Sequence, residues 1–261
     1  MGPFNDIGVE AIGRVGLVEI RRPPNNFFDV ALIKEIASAF EAFDADPDCR
    51  ALVLAAQGKA FCAGANFGDD NSGRTLLGGP RPGAAHLYIE GSRLFRSKKP
   101  IVAAVHGAAV GGGLGLAMVA DFRVTCPEAR FCANFTRLGF HPGFGLTVTL
   151  PAVIGPTKAA LMFYTSRRVP GDEATAMGLA DLLVPQDQVR TAALALAAEI
   201  AENSPLGLIA TRATLRGDLA DRVRAATEHE LAEQTRLRET RDFKEGVSAV
   251  AERRVPVFTG R

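Results

Sequence analysis

No apolar run in this 261-residue sequence is long enough to cross a bilayer; the longest, such as Ile101–Val105, are strand-sized. The start, Met1-Gly2-Pro3-Phe4-Asn5-Asp6, has neither the positive opening nor the apolar core of a secretory leader, so a cytoplasmic location is expected. An excess of one charge is lacking too: 30 Lys and Arg stand against 29 Asp and Glu, a net charge of +1. Without a basic stripe or an acidic tail, nucleic acid and anionic membrane are poor partners, and a small anionic ligand stays open. The four cysteines, Cys49, Cys62, Cys126 and Cys132, form no Cys-x-x-Cys pair, and no histidine stands at metal-ligand spacing from them. They are expected to be free buried thiols, and no metal site is expected.

What is present suits a soluble globular chain: 47% hydrophobic and 23% charged residues can bury a large core. With no internal repeat and no low-complexity linker, one domain over 1–261 is expected, its core at about 8–185 and a helical region at about 186–261. Residues 9–12 and 15–20 alternate like a hairpin around Gly13-Arg14, and Pro23-Pro24 ends it. Asp29 stands where a helix N-cap belongs, ahead of a stripe of Ile33, Ile36, Ala37, Phe40 and Phe43 that runs to about Asp46-Pro47. Continuous apolar runs at 51–56, 101–105 and 122–126 read as strands covered on both faces, and the helical segments between them imply crossovers in an α/β fold. Residues 69–85, rich in Gly, Pro, Asp and Asn, read as a long loop. The dense Glu and Arg of 221–241 read as a solvated or subunit-facing helix.

Two turns carry chemistry. Lys59-Ala60-Phe61-Cys62-Ala63-Gly64-Ala65-Asn66 leaves the first buried strand through small residues that let backbone N–H groups approach a ligand. Val105-His106-Gly107-Ala108-Ala109-Val110-Gly111-Gly112-Gly113-Leu114 leaves the next strand and opens a helix over 114–120, whose N-terminus suits a developing oxyanion. Neither turn matches the dinucleotide G-x-G-x-x-G fingerprint or a phosphate-cradling P-loop. Two donors at adjacent strand ends can share one carbonyl oxygen.

Taken in order, Arg22-Pro23, the 60–66 turn, 100–106, Gly111-Gly112-Gly113, Pro142-Gly143, and Glu245-Gly246 with Arg253-Arg254-Val255-Pro256-Val257-Phe258 resemble the crotonase (enoyl-CoA hydratase/isomerase) superfamily over nearly the whole chain. The resemblance implies a spiral of ββα units assembled as trimers or dimers of trimers. It also implies a coenzyme A thioester as substrate and no permanently bound cofactor. It makes Ala65 and Gly112 the two N–H donors. Lys59, Ala60, Phe61 and Ala63 would line the adenine site, Phe258 would close over the nucleotide, and Arg22 would lie near the CoA phosphates. Asn66 replaces the Asp usual after Ala-Gly-Ala and is read as holding the turn.

The sequence departs from the hydratase pattern at both glutamates. The position after the glycine run, one past Leu114, is Gly115, and the second falls on Phe135. Neither residue can move a proton, so two-glutamate hydration is not expected. The remaining acid–base candidates are His141, in the loop before Pro142-Gly143, and His86 and Tyr88 at the start of a helix over 84–95. Glu90, further along that helix, is a weaker one. The expected function is therefore an acyl-CoA enzyme that stabilises a thioester enolate with non-glutamate acid–base groups. The alternatives are a silent CoA-ester-binding subunit or a CoA-independent β-diketone hydrolase.

Overall fold

The computed structural model describes residues 4–66 and 87–261. Strands β1 (Ile7–Ile12) and β2 (Val15–Ile20) form the expected hairpin, with Ile12 opposite Val15 and Gly13 turning at φ +59°. Every residue of β2 is buried, because its far side pairs in parallel with β3 (Ala51–Ala56). β5 (Ile101–Val105), β7 (Phe122–Thr125) and β10 (Leu182–Leu183) extend this sheet in parallel, in the order β1-β2-β3-β5-β7-β10. Helices on the faces of a parallel sheet explain why β3 and β5 read as unbroken apolar runs. Helix α1 (Val30–Ala45) begins as expected, with the Asp29 carboxylate accepting the Leu32 N–H at 2.9 Å, and it buries the whole anticipated stripe.

A second sheet was not legible in advance. β4 (Ala60–Cys62), β6 (Ala108–Val110) and β8 (Arg130–Cys132) pair in parallel, and β9 (Arg168–Pro170) pairs antiparallel with β8. Three residues are too few for alternation to show. Among the described elements, β3 and β5 are thus each followed by a short strand and then by a helix. β3 and β4 precede α2 (Leu87–Leu94), and β5 and β6 precede α3 (Gly112–Ala117). This is the expected α/β spiral of ββα units.

After β8 the chain makes one 3-10 turn at Thr136–Leu138, then α4 (Leu146–Ile154), α5 (Pro156–Thr165) and α6 (Gly171–Ala176). Four helices follow: α7 (Val189–Ala201), α8 (Pro205–Arg216), α9 (Leu219–Arg238) and α10 (Arg241–Ala251). The anticipated line at 186 falls just ahead of α7, whose Val189, Ala193, Ala197 and Ala201 are buried against β3, β5 and β7. α8 is tied to the same layer through Asp121, which accepts from both Arg212 Nε and Arg216 Nε at 2.9 Å.

α9 has a buried face that the reading of a solvated or subunit-facing helix did not include. Val223, Thr227, Glu230 and Gln234 recur at helical spacing on one face, and all four are buried against α2 and α4. All four cysteines are buried and free, and burial pushes the Cys62 thiol up to about 12.

The C-terminal tail folds back onto α10. Glu245 pairs with Arg254 and accepts the Val257 N–H at 2.8 Å, and Asp242 accepts from Thr259 N at 2.7 Å and Gly260 N at 2.8 Å. The Arg254 guanidinium and the Val257 N–H hold the Glu245 carboxyl down to about 2, against an ordinary 4.5. A carboxylate depressed in this way contributes its tether above the ordinary value and loses it as pH falls through the folded one. The amide resonance of Val257, which donates to Glu245, is therefore expected to keep its folded position at pH 5 and to move toward an unfolded one as the pH falls toward about 2. A resonance unchanged at the acid end would contradict the tether.

Candidate active site

The two turns meet. Segment 25–28 clamps the first, with Asn25 O accepting the Ala63 N–H at 2.9 Å and Gly64 O accepting the Phe28 N–H at 3.0 Å. Gly64 sits at φ +79°, and a methyl there would lie 2.6 Å from Val110 O and 3.5 Å from Gly112 N, so the turns are in contact through glycine backbone. Gly111 (φ +56°) caps α3 and donates its own N–H to Cys132 O at 2.8 Å. That leaves Gly112 as the first residue of α3, where an N–H has no acceptor within the helix. Among the described residues, neither the Ala65 N–H nor the Gly112 N–H makes a hydrogen bond.

Both groups open onto a cavity of about 420 Å³, within the usual size of a small-molecule site. Besides the two turns, several other parts of the chain wall it. Phe27 and Phe28 lie beside the first turn, and Leu87 and Tyr88 come from α2. Asn134, Phe135, Leu138 and Phe140 follow β8, α9 supplies Gln234 and Arg238, and α10 supplies Val247 and Val250. The described lining contains no carboxylate and no imidazole.

Phe144 plugs one end of this space. Its ring lies 5.5 Å from that of Phe28, and a methyl on Gly115 would stand 2.8 Å from Phe144 Cβ. Phe144 adopts φ +62° and Gly145 φ +73°; for an aromatic residue that backbone costs about 1–3 kcal/mol and must be held from outside. Tyr88 and Glu230 hold it. The Tyr88 oxygen accepts the Phe144 N–H and donates to Gln234 Oε1 at 2.6 Å, while Gln234 Nε2 donates to His141 O at 2.8 Å. Burial pushes the Tyr88 phenol well above its ordinary range, so it is neutral. Glu230, fully buried, accepts Gly145 N at 2.8 Å, Thr147 N at 3.2 Å and Thr147 Oγ1 at 2.6 Å.

The model of the enoyl-CoA hydratase/isomerase family matches residues 10–261. A probable enoyl-CoA hydratase, echA14, of Mycobacterium tuberculosis is 35% identical over 91% of both chains. The mevalonyl-coenzyme A hydratase SIDH of Beauveria bassiana is 33% identical over 93% of this chain and 90% of its own. Among solved structures, carnitinyl-CoA hydratase from Mycobacterium avium superposes with a TM-score of 0.84 at 30% identity, covering 98% of this chain and 99% of that one. The chain belongs to the enoyl-CoA hydratase/isomerase family. It is an acyl-CoA enzyme of the crotonase superfamily.

Against that family pattern the anticipated site residues divide. Ala63, Ala65, Asn66, Tyr88, Gly112 and Phe135 all face the cavity. Gly115 does not, because Phe144 occupies the space a side chain there would use, and Leu114 is wholly buried in the core. Phe61 is likewise fully buried and Ala60 nearly so, since β4 packs inside the molecule, and neither is part of the described cavity lining. Lys59 is exposed and outside the cavity. Arg22 is taken up by ion pairs with Asp6 and with Asp29 at 3.0 Å. Phe258 rides on the tail tethered to α10, away from the cavity lining.

The imidazole of His141 turns from the cavity to pack edge-on against His229, ring centres 5.6 Å apart, with Nδ1 2.8 Å from Pro142 O. Glu90 is buried and paired with Arg93, off the lining. His86 lies outside the described residues, as does the loop expected at 69–85. His106, read as structural, places Nε2 3.0 Å from Gly58 O. The sequence reading missed Phe28, Phe144, Arg168, Gln234 and Arg238. Glu230, Gln234 and Arg238 recur every four residues, and that spacing was the available signal.

Proposed function

We propose that this family member polarises an acyl-CoA thioester carbonyl between the Ala65 and Gly112 N–H groups and stabilises the resulting enolate. Acid–base groups other than the two glutamates then handle the proton. The observation that carries the reading is the pair of N–H groups, without acceptors among the described residues, on one wall of a mostly apolar cavity. Donors fixed in place by packed glycines need no reorganisation as charge develops on the oxygen, which is where such groups contribute most. Tyr88 is read as a positioning residue, since its hydroxyl is already engaged by Gln234 and Phe144.

The lack of a carboxylate or imidazole on the described wall favours a second reading, a subunit that binds a CoA ester without turning it over. A panel of enoyl-, 3-oxoacyl- and aromatic acyl-CoAs, scored for both binding and turnover, separates the two. Turnover of at least one class is expected, with His141→Ala keeping most of it because that ring faces His229. Binding without turnover across the panel would select the silent subunit, and no binding of any thioester would overturn both.

A further inference from the structure

Two empty spaces meet at Phe144. One is the main cavity. The other is a crevice between α2 and α9, too narrow to hold a water molecule, lined by Gly91, Ser92, Phe95, Val223 and Thr227. Among the described residues, Tyr88 and Phe144 alone belong to both linings. Tyr88 is fixed, because its hydroxyl is bonded to Gln234 and to the Phe144 N–H. The partition is therefore the Phe144 ring, which lies so close to Gly91 that a methyl there would stand 3.0 Å from its Cε2.

We infer that Phe144 limits the length of the acyl chain: the substrate class is short-chain acyl-CoA, and the crevice is the closed-off continuation of the acyl pocket. This rests on the acyl-CoA reading above. Phe28 lies against one of the two oxygen donors, since a methyl on Gly112 would stand 2.1 Å from Phe28 Cζ. The Phe144 ring comes next, its centre 5.5 Å from that of Phe28. A chain running inward from a carbonyl held at Gly112 therefore meets the plug within a few methylenes. Beyond the plug, the crevice suits an apolar tail. Gly91, Phe95 and Val223 offer it no polar side chain. Ser92 Oγ donates to Ile89 O and Thr227 Oγ1 to Arg224 O, both at 2.8 Å, so each hydroxyl is satisfied within its own helix.

Titration calorimetry with butanoyl-, hexanoyl-, octanoyl- and decanoyl-CoA tests the assignment. Each methylene that finds an apolar enclosure strengthens binding about fourfold. In the wild-type protein the gain is expected to stop by hexanoyl-CoA, with decanoyl-CoA binding no more tightly. Phe144→Gly is expected to carry the gain onward, so that decanoyl-CoA binds roughly tenfold or more tightly than hexanoyl-CoA. Glycine suits the position, because Phe144 sits at φ +62°, which glycine adopts without strain. Loss of a ring that served only the fold would weaken every ligand and strengthen none.

A wild-type series that keeps gaining about fourfold per methylene through decanoyl-CoA would overturn the inference, and that arm needs no variant. So would a folded Phe144→Gly protein whose gain stops where the wild type's does. Failure of every thioester and of free CoA to bind wild-type protein would instead remove the acyl-CoA reading on which the inference stands.

Discussion

Replacing Gly113 by alanine is expected to lower the melting temperature by about 10 °C and to weaken acyl-CoA turnover or binding about 100-fold. The new methyl would lie 1.9 Å from Cys62 O and 2.7 Å from Cys62 C. Both are backbone atoms, so no side-chain rotation relieves the collision. Either β4 or α3 must move, and overpacking of this kind costs about 3 kcal/mol or more. Cys62 immediately precedes the Ala63–Gly64–Ala65 turn, so the displacement also draws the Ala65 N–H away from that of Gly112. Losing one aligned oxyanion donor commonly costs about 3 kcal/mol of transition-state stabilisation. Gly207→Ala is the control: on α8 the methyl meets nothing nearer than 3.4 Å, and the change is expected to be neutral or mildly stabilising. A Gly113→Ala protein that melts with the wild type would show that the two turns do not pack as described.

Glu230→Ala is expected to destabilise the fold by about 4 kcal/mol, read as a fall of about 10 °C in melting temperature. The carboxylate is fully buried and satisfies three donors at the start of α4, a helix whose N-cap, Gly145, has no side chain to do so. Truncation leaves all three without this partner, the Gly145 N–H buried and the two Thr147 groups part-buried, and each group left unsatisfied carries its own desolvation cost. Those donors flank Phe144, so the left-handed turn loses one of its two anchors and the aromatic plug is released. Glu230→Gln keeps one acceptor oxygen but turns an amide donor toward another donor, and is expected to fall between alanine and wild type. An alanine variant as stable as the wild type would mean that water replaces the carboxylate at no cost.

How much of this was legible beforehand depended on the range of each interaction. The β1–β2 hairpin, α1 with its Asp29 cap, and the buried strands β3, β5 and β7 follow from local pattern, because cap chemistry and hydrophobic period are written within a few residues. β4, β6, β8 and β9 were invisible, since three residues carry no period and only pairing between distant segments makes them strands. The same limit applied at the site. The small-residue turns at Ala65 and Gly112 could be recognised because close backbone approach demands glycine at particular places. Phe144 could not, because what matters there is a ring from one loop lying against Gly91 of α2 and Gly115 of α3. His141 looked well placed by its loop, yet a side chain's direction is set by neighbours, here His229, far off in the sequence on α9. The dense charges of α9 concealed the buried row through Glu230 and Gln234 by outnumbering it.

The carbonyl stretch of a bound thioester tests the central claim most directly. Pentanoyl-CoA labelled with carbon-13 at the carbonyl can be followed by difference infrared spectroscopy, free and bound, with wild-type and Gly113→Ala protein. Two N–H donors aimed at the oxygen lengthen the C=O bond, so the bound band is expected to move to lower frequency than in water, and to return toward the free value in the variant. A bound band at or above the frequency in water would contradict an oxyanion hole formed by Ala65 and Gly112.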